Sequence, residues 1–130
     1  SCLCKEVTFT VNGEVSAFHM CHCNRCRHST SSAHVSNIFT SADAITWHTG
    51  EENIRRFELP EAERWAKQFC VKCGSGLPYV NRAGTALVVP AGSLIDDPGV
   101  EPDDNIFWSE RAPWYDAGAA SIKFDTYPTK

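Results

Sequence analysis

Seven cysteines in three close groups constrain the fold of this 130-residue chain more than any other feature of its sequence. The groups are Cys2-x-Cys4, Cys21-x-Cys23-x-x-Cys26 and Cys70-x-x-Cys73. An odd number of cysteines argues against a complete disulfide framework, and such close pairs converge on one metal more readily than they join distant segments. In a reducing cytosol these groups are typical of zinc sites. The spacing therefore predicts a fold that is held together by metal.

Length and composition predict one ordinary soluble domain over residues 1–130. Hydrophobic residues make up 42% of the chain and charged residues 22%, as in most globular proteins. The formal net charge of −4 argues against a nucleic-acid partner. No apolar run approaches the ~20 residues of a membrane span, and no secretory signal is visible. We expect a cytoplasmic protein, and the sequence does not indicate its oligomeric state. Because the sequence starts at Ser1 and not at methionine, a few residues before Ser1 are expected to be missing.

Short segments of alternating polarity predict a mainly β fold. Residues 7–11 alternate as on a half-buried strand, and Asn12-Gly13 is a strong turn signal because both residues tolerate positive φ. We therefore expect a hairpin whose return strand contains residues 15–18. Further strands are predicted at 33–40, 44–50, 53–59, 64–70 and 121–128, and a second hairpin within 76–94 that turns around 82–84.

The remaining segments predict connections in place of long helices. Residues 24–32 are polar and predict a loop or one short helix, and the acidic, proline-containing segment 95–105 predicts a surface loop. Asp96-Asp97 and Asp103-Asp104 are expected to be exposed loop charges. The aromatic side chains near the end of the chain are expected to pack in the core in preference to lining a pocket. These are Trp108, Trp114 and Tyr115.

Two of the cysteine groups can complete one closed metal site. Residues i and i+2 of a strand point to the same face, so Cys2 and Cys4 can present two sulfurs together. Cys70 and Cys73 form a turn that brings two more sulfurs to one ion, and Gly74 permits the tight backbone that follows. Two pairs give a tetrahedral four-cysteine site, which is the ordinary structural zinc arrangement.

That pairing leaves Cys21, Cys23 and Cys26 as a separate set of three. Three protein ligands with an open position are the pattern of catalytic zinc. The alternative is a histidine as fourth ligand, which would complete a second structural site. Buried free thiols explain so tight a spacing less well, and an iron–sulfur cluster has no characteristic spacing here. The histidines close enough in sequence are His19, His22 and His28.

The whole pattern resembles the family of glutathione-dependent formaldehyde-activating enzymes and centromere protein V. The matching segments run in order over nearly the entire chain: SCLCKEVTFTV, CHCNRCRHSTSSAH, FCVKCGSGLPY, and PAGSLIDDPG with PDDNIFWSERAPWY. The resemblance implies an Mss4-like fold of short, mostly antiparallel strands organised around two zinc ions. It implies that the structural zinc is held by Cys2, Cys4, Cys70 and Cys73, and the catalytic zinc by Cys21, Cys23 and Cys26.

The activity implied by the resemblance is that of a carbon–sulfur lyase, which joins formaldehyde to glutathione as S-hydroxymethylglutathione or reverses that reaction. A small thiol such as glutathione is therefore the expected partner. The sequence departs from the usual family pattern at Lys5-Glu6, at residues 28–34 (HSTSSAH) and at Leu77-Pro78. These changes leave all seven cysteines in place and bear on the choice of substrate.

Charged neighbours of the three-cysteine group are candidates for substrate binding and proton transfer. Arg25 and Arg27 flank Cys26 and could bind a substrate carboxylate, although a solvated turn beside an anionic centre is the simpler explanation. His28 and His34 could move protons to the hemithioacetal oxygen, or serve as hydrogen-bonding neighbours of the metal. Two other functions compete with the lyase: a zinc-stabilised binding module, and a thiol-based sensor that releases zinc reversibly.

Overall fold

The computed structural model describes residues 1–128, and its secondary structure is mainly short strands. Single turns of 3₁₀ helix cover Glu51–Asn53, Ala91–Ser93 and Trp108–Glu110. Within residues 1–128, no helix has the length and apolarity needed to cross a membrane. The strands and helices are β1 (Thr8–Val11), β2 (Ala17–Cys21), α1 (Asn24–Thr30), β3 (Val35–Thr40), β4 (Ile45–Thr49), β5 (Ile54–Glu58), β6 (Ala66–Cys70), β7 (Gly76–Leu77), β8 (Tyr79–Val80), β9 (Leu87–Pro90), β10 (Asp104–Ile106) and α2 (Tyr115–Ala120).

These strands form three small sheets. The largest has the order β10-β2-β3-β9-β8, the second pairs β1 with β4, and the third has the order β5-β6-β7. Every pair is antiparallel except β10 with β2, which is parallel. The expected mainly β fold of short, mostly antiparallel strands is therefore confirmed.

The hairpin expected between residues 7–11 and 15–18 is wrong. β1 pairs with β4, whereas β2 pairs with β3 in a different sheet. Gly13 keeps a φ outside the positive region, and its small size matters instead. A Cβ on Gly13 would lie 2.0 Å from Thr40 Oγ1 and 2.6 Å from Ala44 Cβ. The glycine therefore marks a close approach of the β1–β2 connection to the end of β3 and the start of β4, and not a two-residue turn.

Several other local predictions are confirmed. The polar segment 24–32 contains the short helix α1 (Asn24–Thr30), and the second hairpin joins β8 to β9. In its turn, Gly84 adopts a φ of +73° and its N–H donates to the Asn81 carbonyl at 2.9 Å. This is a conformation that glycine adopts without steric cost.

One prediction for the C-terminal third is wrong, and another is wrong at its end. Residues 121–128 form no strand. Residues 95–103 contain no helix or strand, as expected of a loop, whereas Asp104 and Asn105 belong to strand β10. Asp103 leads into that strand: its N–H donates to the Phe18 carbonyl at 2.8 Å, and its Oδ2 accepts from the Phe18 N–H at 2.8 Å. The aspartate thus fastens β10 to the edge of β2, although the carboxylate remains exposed.

Alternation along the strands of the largest sheet separates a core face from the opposite face, which lines a cavity. Phe18, Ile38, Leu87 and Val89 form one buried cluster. Their neighbours in sequence point to the other face, because successive strand residues alternate. A second cluster, around Val7 and Leu77, includes the buried Cys2 and Cys70 and lies elsewhere in the molecule. The face of the largest sheet opposite this core carries the candidate site. Its residues include His19, Cys21, Asn37, Phe39 and Val88.

Candidate functional site

The four sulfurs of the first metal centre lie together. Those of Cys2, Cys4, Cys70 and Cys73 are all within 4.8 Å of one another. The Cys2–Cys4 and Cys4–Cys70 sulfur pairs are 3.6 Å and 3.9 Å apart. Four sulfurs placed tetrahedrally at about 2.3 Å from zinc are about 3.8 Å apart, so this donor set fits that ion.

Local backbone geometry brings the two pairs together. Cys2 and Cys4 lie in a turn, not in the expected strand, and the Cys2 N–H donates to the Val7 carbonyl at 3.1 Å. At the other pair, the N–H of Gly74 donates to the Cys70 carbonyl at 2.7 Å with φ at +75°. The role expected of this glycine is therefore confirmed.

A serine next to this centre favours the charged form of one ligand. Ser75 Oγ lies 3.2 Å from Cys73 Sγ, and its hydrogen bond lowers the pKa of Cys73 to about 5. A thiolate is the form of cysteine that ligates metals. The Cys73 sulfur is thus ready to bind a cation at neutral pH.

The second centre is built where β2 passes into α1. Cys21 ends the strand, Cys23 is the N-cap of the helix, and Cys26 lies in its first turn. The Cys23 sulfur accepts the Cys26 N–H at 3.4 Å, so the cap itself holds two of the cysteines close. All three sulfurs lie within 4.8 Å of one another.

Among residues 1–128, no histidine nitrogen or carboxylate completes this group of three sulfurs. His22 turns its Nε2 to Asn105 Oδ1 at 2.9 Å, and His19 pairs its Nδ1 with Asp104 Oδ1 at 2.5 Å. His28 lies on the exposed side of α1. The alternative of a histidine as fourth ligand is therefore wrong, and the centre offers three protein ligands.

The three thiols are too close together to ionise independently. The pKa of Cys21 is lowered to about 6 because its sulfur accepts a hydrogen bond from the Cys26 thiol. The pKa of Cys26 is raised because it donates that bond and is buried. Neighbouring negative charges disfavour one another, and a divalent cation relieves that repulsion. The chemistry of this donor set therefore fits zinc.

The three-cysteine centre opens on a cavity of about 1030 Å³. The floor of the cavity is the face of the largest sheet opposite its core. Part of the cavity wall is formed by the start of α1 and by the loop at residues 61–65. Exposed charges of both signs lie around it. They are Arg25, Arg64, Glu61, Glu63 and Glu110. The volume suits a small organic molecule or short peptide.

The two arginines and two histidines that the sequence suggested for substrate binding and proton transfer lie at different places relative to the cavity. Arg25 lines the cavity, and among residues 1–128 it makes no ion pair. Arg27 instead donates from Nη1 to the Glu110 carbonyl at 3.1 Å. His28 lines a neighbouring cavity of about 760 Å³, which Arg25 shares. His34 lies away from both cavities, with its ring 5.0 Å from that of His22.

An aromatic cluster behind the cysteines was not predicted from the sequence. The His22 side chain is fully buried and contacts the rings of His34, Trp108 and Tyr115. Burial and the nearby His22 lower the pKa of His34. The core packing expected of the tryptophans is wrong, since Trp108 is 40% exposed and Trp114 is 56% exposed. The tryptophan at 108 still covers His22 at a centroid distance of 5.0 Å.

Two polar residues in the cavity were also missed. Asn37 is 8% exposed, and its Oδ1 has no hydrogen-bond partner within residues 1–128. The half-buried Tyr79 lies close enough to Cys26 that burial, together with the thiolate charge, raises the pKa of its hydroxyl. The sequence held one indication of the Asn37 position: a polar asparagine in the middle of the otherwise strand-like segment VSNIFT.

Comparison with known proteins agrees with this architecture. A family model described as glutathione-dependent formaldehyde-activating enzyme matches residues 1–110. The crystal structure of a Rhodobacter sphaeroides protein, from a structural-genomics programme, is similar with a TM-score of 0.59 and 20% sequence identity. The similarity covers 78% of this chain and 89% of that one, and at this identity it concerns the fold alone. Among curated proteins, none matches this chain.

Proposed function

Because the chain belongs to the family of glutathione-dependent formaldehyde-activating enzymes, whose fold is Mss4-like and zinc-binding, we propose that it is a zinc-dependent carbon–sulfur lyase. It joins formaldehyde to glutathione, or to a related small thiol, as an S-hydroxymethyl adduct, and it also cleaves that adduct. The observation that carries the proposal is the placement of Cys21, Cys23 and Cys26. Their group has three sulfurs and opens on the 1030 Å³ cavity, whereas the four-cysteine group is complete and lies outside it.

The two centres have different roles in this proposal. Cys2, Cys4, Cys70 and Cys73 hold a structural zinc that ties the N-terminal turn to the end of β6. The three-cysteine group would hold a second zinc, with Cys21, Cys23 and Cys26 as its protein ligands. When bound there, zinc lowers the pKa of a thiol and keeps it as the thiolate at neutral pH.

The reaction itself needs no redox partner. The thiolate sulfur donates an electron pair to the carbonyl carbon of formaldehyde, so a carbon–sulfur bond forms. The carbonyl π pair moves to the oxygen, which takes a proton from water. In the reverse direction the hydroxyl proton leaves, the carbonyl re-forms, and the carbon–sulfur pair returns to sulfur.

The chain's own contribution is to bind and orient the thiol. Glutathione carries two carboxylates and one ammonium group, and the cavity rim has charges of both signs. Arg25 is our candidate for a carboxylate because it lines the cavity without an ion pair inside residues 1–128. Arg27 is assigned to holding the segment at Glu110 in place, through its bond to that carbonyl.

The two histidines named from the sequence receive different roles. His28 lies at the neighbouring cavity that Arg25 shares, where it can contact an end of a peptide substrate distant from the sulfur. His34 supports the cysteine loop through the His22 ring, without touching the substrate. A reducing cytoplasm is the compartment we propose, since free thiols and glutathione persist there.

The test is the zinc content of the folded chain, measured by native mass spectrometry with and without glutathione. We expect two zinc ions per chain and one bound glutathione. A variant with Cys21→Ser, Cys23→Ser and Cys26→Ser should keep one zinc, remain folded and lose glutathione. Exposed His28→Gln is the matched control and should keep both zinc ions. A single zinc in the wild type, or glutathione bound equally by the triple variant, would contradict the proposal.

A further inference from the structure

Two polar side chains occupy the floor of the cavity without a visible structural purpose. Asn37 lies at the middle of β3, opposite His19 of β2 and Pro90 of β9. Its side chain is almost fully buried, and no group among residues 1–128 donates to Oδ1. Buried polar atoms nearly always have a partner, and an exception calls for an explanation such as a water or a ligand. The location beside the three cysteines favours a ligand.

The second side chain is Tyr79, which reaches the same cavity from β8. β8 pairs with β9, which in turn pairs with β3, so Tyr79 and Asn37 approach from the same face of one sheet. Both residues and Cys26 line the cavity. The half-buried Tyr79 side chain lines this cavity, and its phenol hydroxyl can donate one hydrogen bond. One acceptor, Asn37 Oδ1, and one donor, the Tyr79 hydroxyl, therefore line the same cavity as the cysteine sulfurs.

We propose that Asn37 and Tyr79 together hold the hydroxyl oxygen of the S-hydroxymethyl adduct. The adduct hydroxyl donates to Asn37 Oδ1 and accepts a hydrogen bond from the Tyr79 hydroxyl. This inference rests on the proposed function and adds to it the two residues that bind the electrophile's oxygen. Both side chains contact the substrate oxygen in this arrangement, and neither exchanges a proton with it.

The chemistry of the pair explains what it would select. A hydroxyl group can donate and accept at once, so the adduct satisfies both side chains. A thioether with no oxygen on the carbon next to sulfur would leave both of them unpaired. Sites built to hydrogen-bond a hydroxyl reject analogues that lack it far more strongly than apolar pockets discriminate by size. The expected substrate class is therefore hydroxyalkyl thioethers formed from small aldehydes.

In the cleavage direction the pair orients the bond that must change. The carbon–sulfur bond breaks, and its electron pair stays on the sulfur. The hydroxyl oxygen becomes a carbonyl, and its proton passes to water. The Tyr79 hydrogen bond then continues to hold the oxygen, now as a carbonyl acceptor, whereas the Asn37 bond is lost. Removal of one preorganised donor at such an oxygen typically lowers a rate by about two to three orders of magnitude.

The test uses the zinc-loaded full chain with glutathione and formaldehyde at equilibrium. Exchange NMR measures the rate at which S-hydroxymethylglutathione forms and breaks. The variants are Tyr79→Phe, which removes one hydroxyl, and Asn37→Ala. Tyr127→Phe is the matched control, because this tyrosine is 89% exposed and should have no effect on the rate. Zinc content and glutathione affinity are measured for each protein.

We expect Tyr79→Phe, which removes a donor to the oxygen, to lower the exchange rate about hundredfold, and Asn37→Ala, which removes an acceptor that orients the adduct, to lower it about tenfold. Zinc content should be unchanged and glutathione affinity within about twofold of wild type. Rates within twofold of wild type would overturn the inference and leave the proposed function standing. An equal loss of zinc or glutathione binding would also overturn it, because the residues would then be structural. A wild-type chain without any acceleration would overturn the proposed function, and this inference with it.

Discussion

His22 offers a direct test of how the three-cysteine loop is held in place. The residue lies between two candidate ligands, and its side chain is fully buried. Its ring centroid is 4.8 Å from that of Tyr115 and 5.0 Å from those of Trp108 and His34. Its Nε2 lies 2.9 Å from Asn105 Oδ1. We predict that His22→Ala destabilises the protein strongly, because all four contacts are lost together.

The magnitude follows from these contacts. Each aromatic contact contributes roughly 0.5–1.5 kcal/mol beyond burial, and truncation of a buried ring to alanine typically costs about 3–5 kcal/mol. Because Trp108 is itself 40% exposed, we expect the low end, about 3 kcal/mol. His22→Phe keeps the ring contacts and loses the bond to Asn105, but it also removes Nδ1, which has no partner inside residues 1–128. Its expected cost is therefore about 1 kcal/mol or less.

The assay is urea unfolding at pH 7.5 with a fixed excess of zinc, since bound metal adds to the apparent free energy of unfolding. His28→Ala is the matched control, because it removes an exposed histidine six positions away and should change stability by less than about 0.5 kcal/mol. A loss of under about 1 kcal/mol for His22→Ala would refute the reasoning. It would mean that the ring contacts do not stabilise the loop.

Three further predictions concern other parts of the molecule. Gly13→Ala should cost about 2–3 kcal/mol in urea unfolding, because its Cβ would lie 2.0 Å from Thr40 Oγ1; an unchanged midpoint would contradict this close approach. Leu77→Ala should cost about 3 kcal/mol and weaken zinc retention in a chelator competition, because this fully buried side chain packs beside Cys70; Val71→Ala, at a 43% exposed position, is the control. Stability should fall as the pH drops through about 6.5, because the lowered pKa of His34 means that the unfolded chain binds this proton more readily. In His34→Gln at equal zinc concentration this part of the fall should disappear, and an identical pH profile would contradict it.

Local sequence patterns predicted the elements that depend on near neighbours. The short helix after Cys23, the turn at Gly84 and most of the strands follow from spacing and residue preference within about ten positions. The convergence of Cys70 with Cys73 is equally local, because a Cys-x-x-Cys turn with a following glycine brings its sulfurs together. Physical rules for such segments need no knowledge of the rest of the chain.

Pairing between distant strands could not be predicted in the same way. The alternation at residues 7–11 is compatible with any neighbouring strand, and the signal at Asn12-Gly13 suggested β2 as the partner when β4 is the real one. The error has a physical cause. A glycine that permits a turn and a glycine that permits two segments of backbone to approach closely look the same in a sequence.

The sequence by itself determined the donor chemistry of this protein: seven cysteines, divided into a group of four and a group of three. The tertiary structure decided what surrounds them. It directed the neighbouring histidines away from the three sulfurs, opened a cavity over that group, and brought Asn37 and Tyr79 to its floor. The reason is that ligand spacing is a property of the local backbone, whereas the contents of a cavity depend on which distant strands share a sheet and which of their faces is buried.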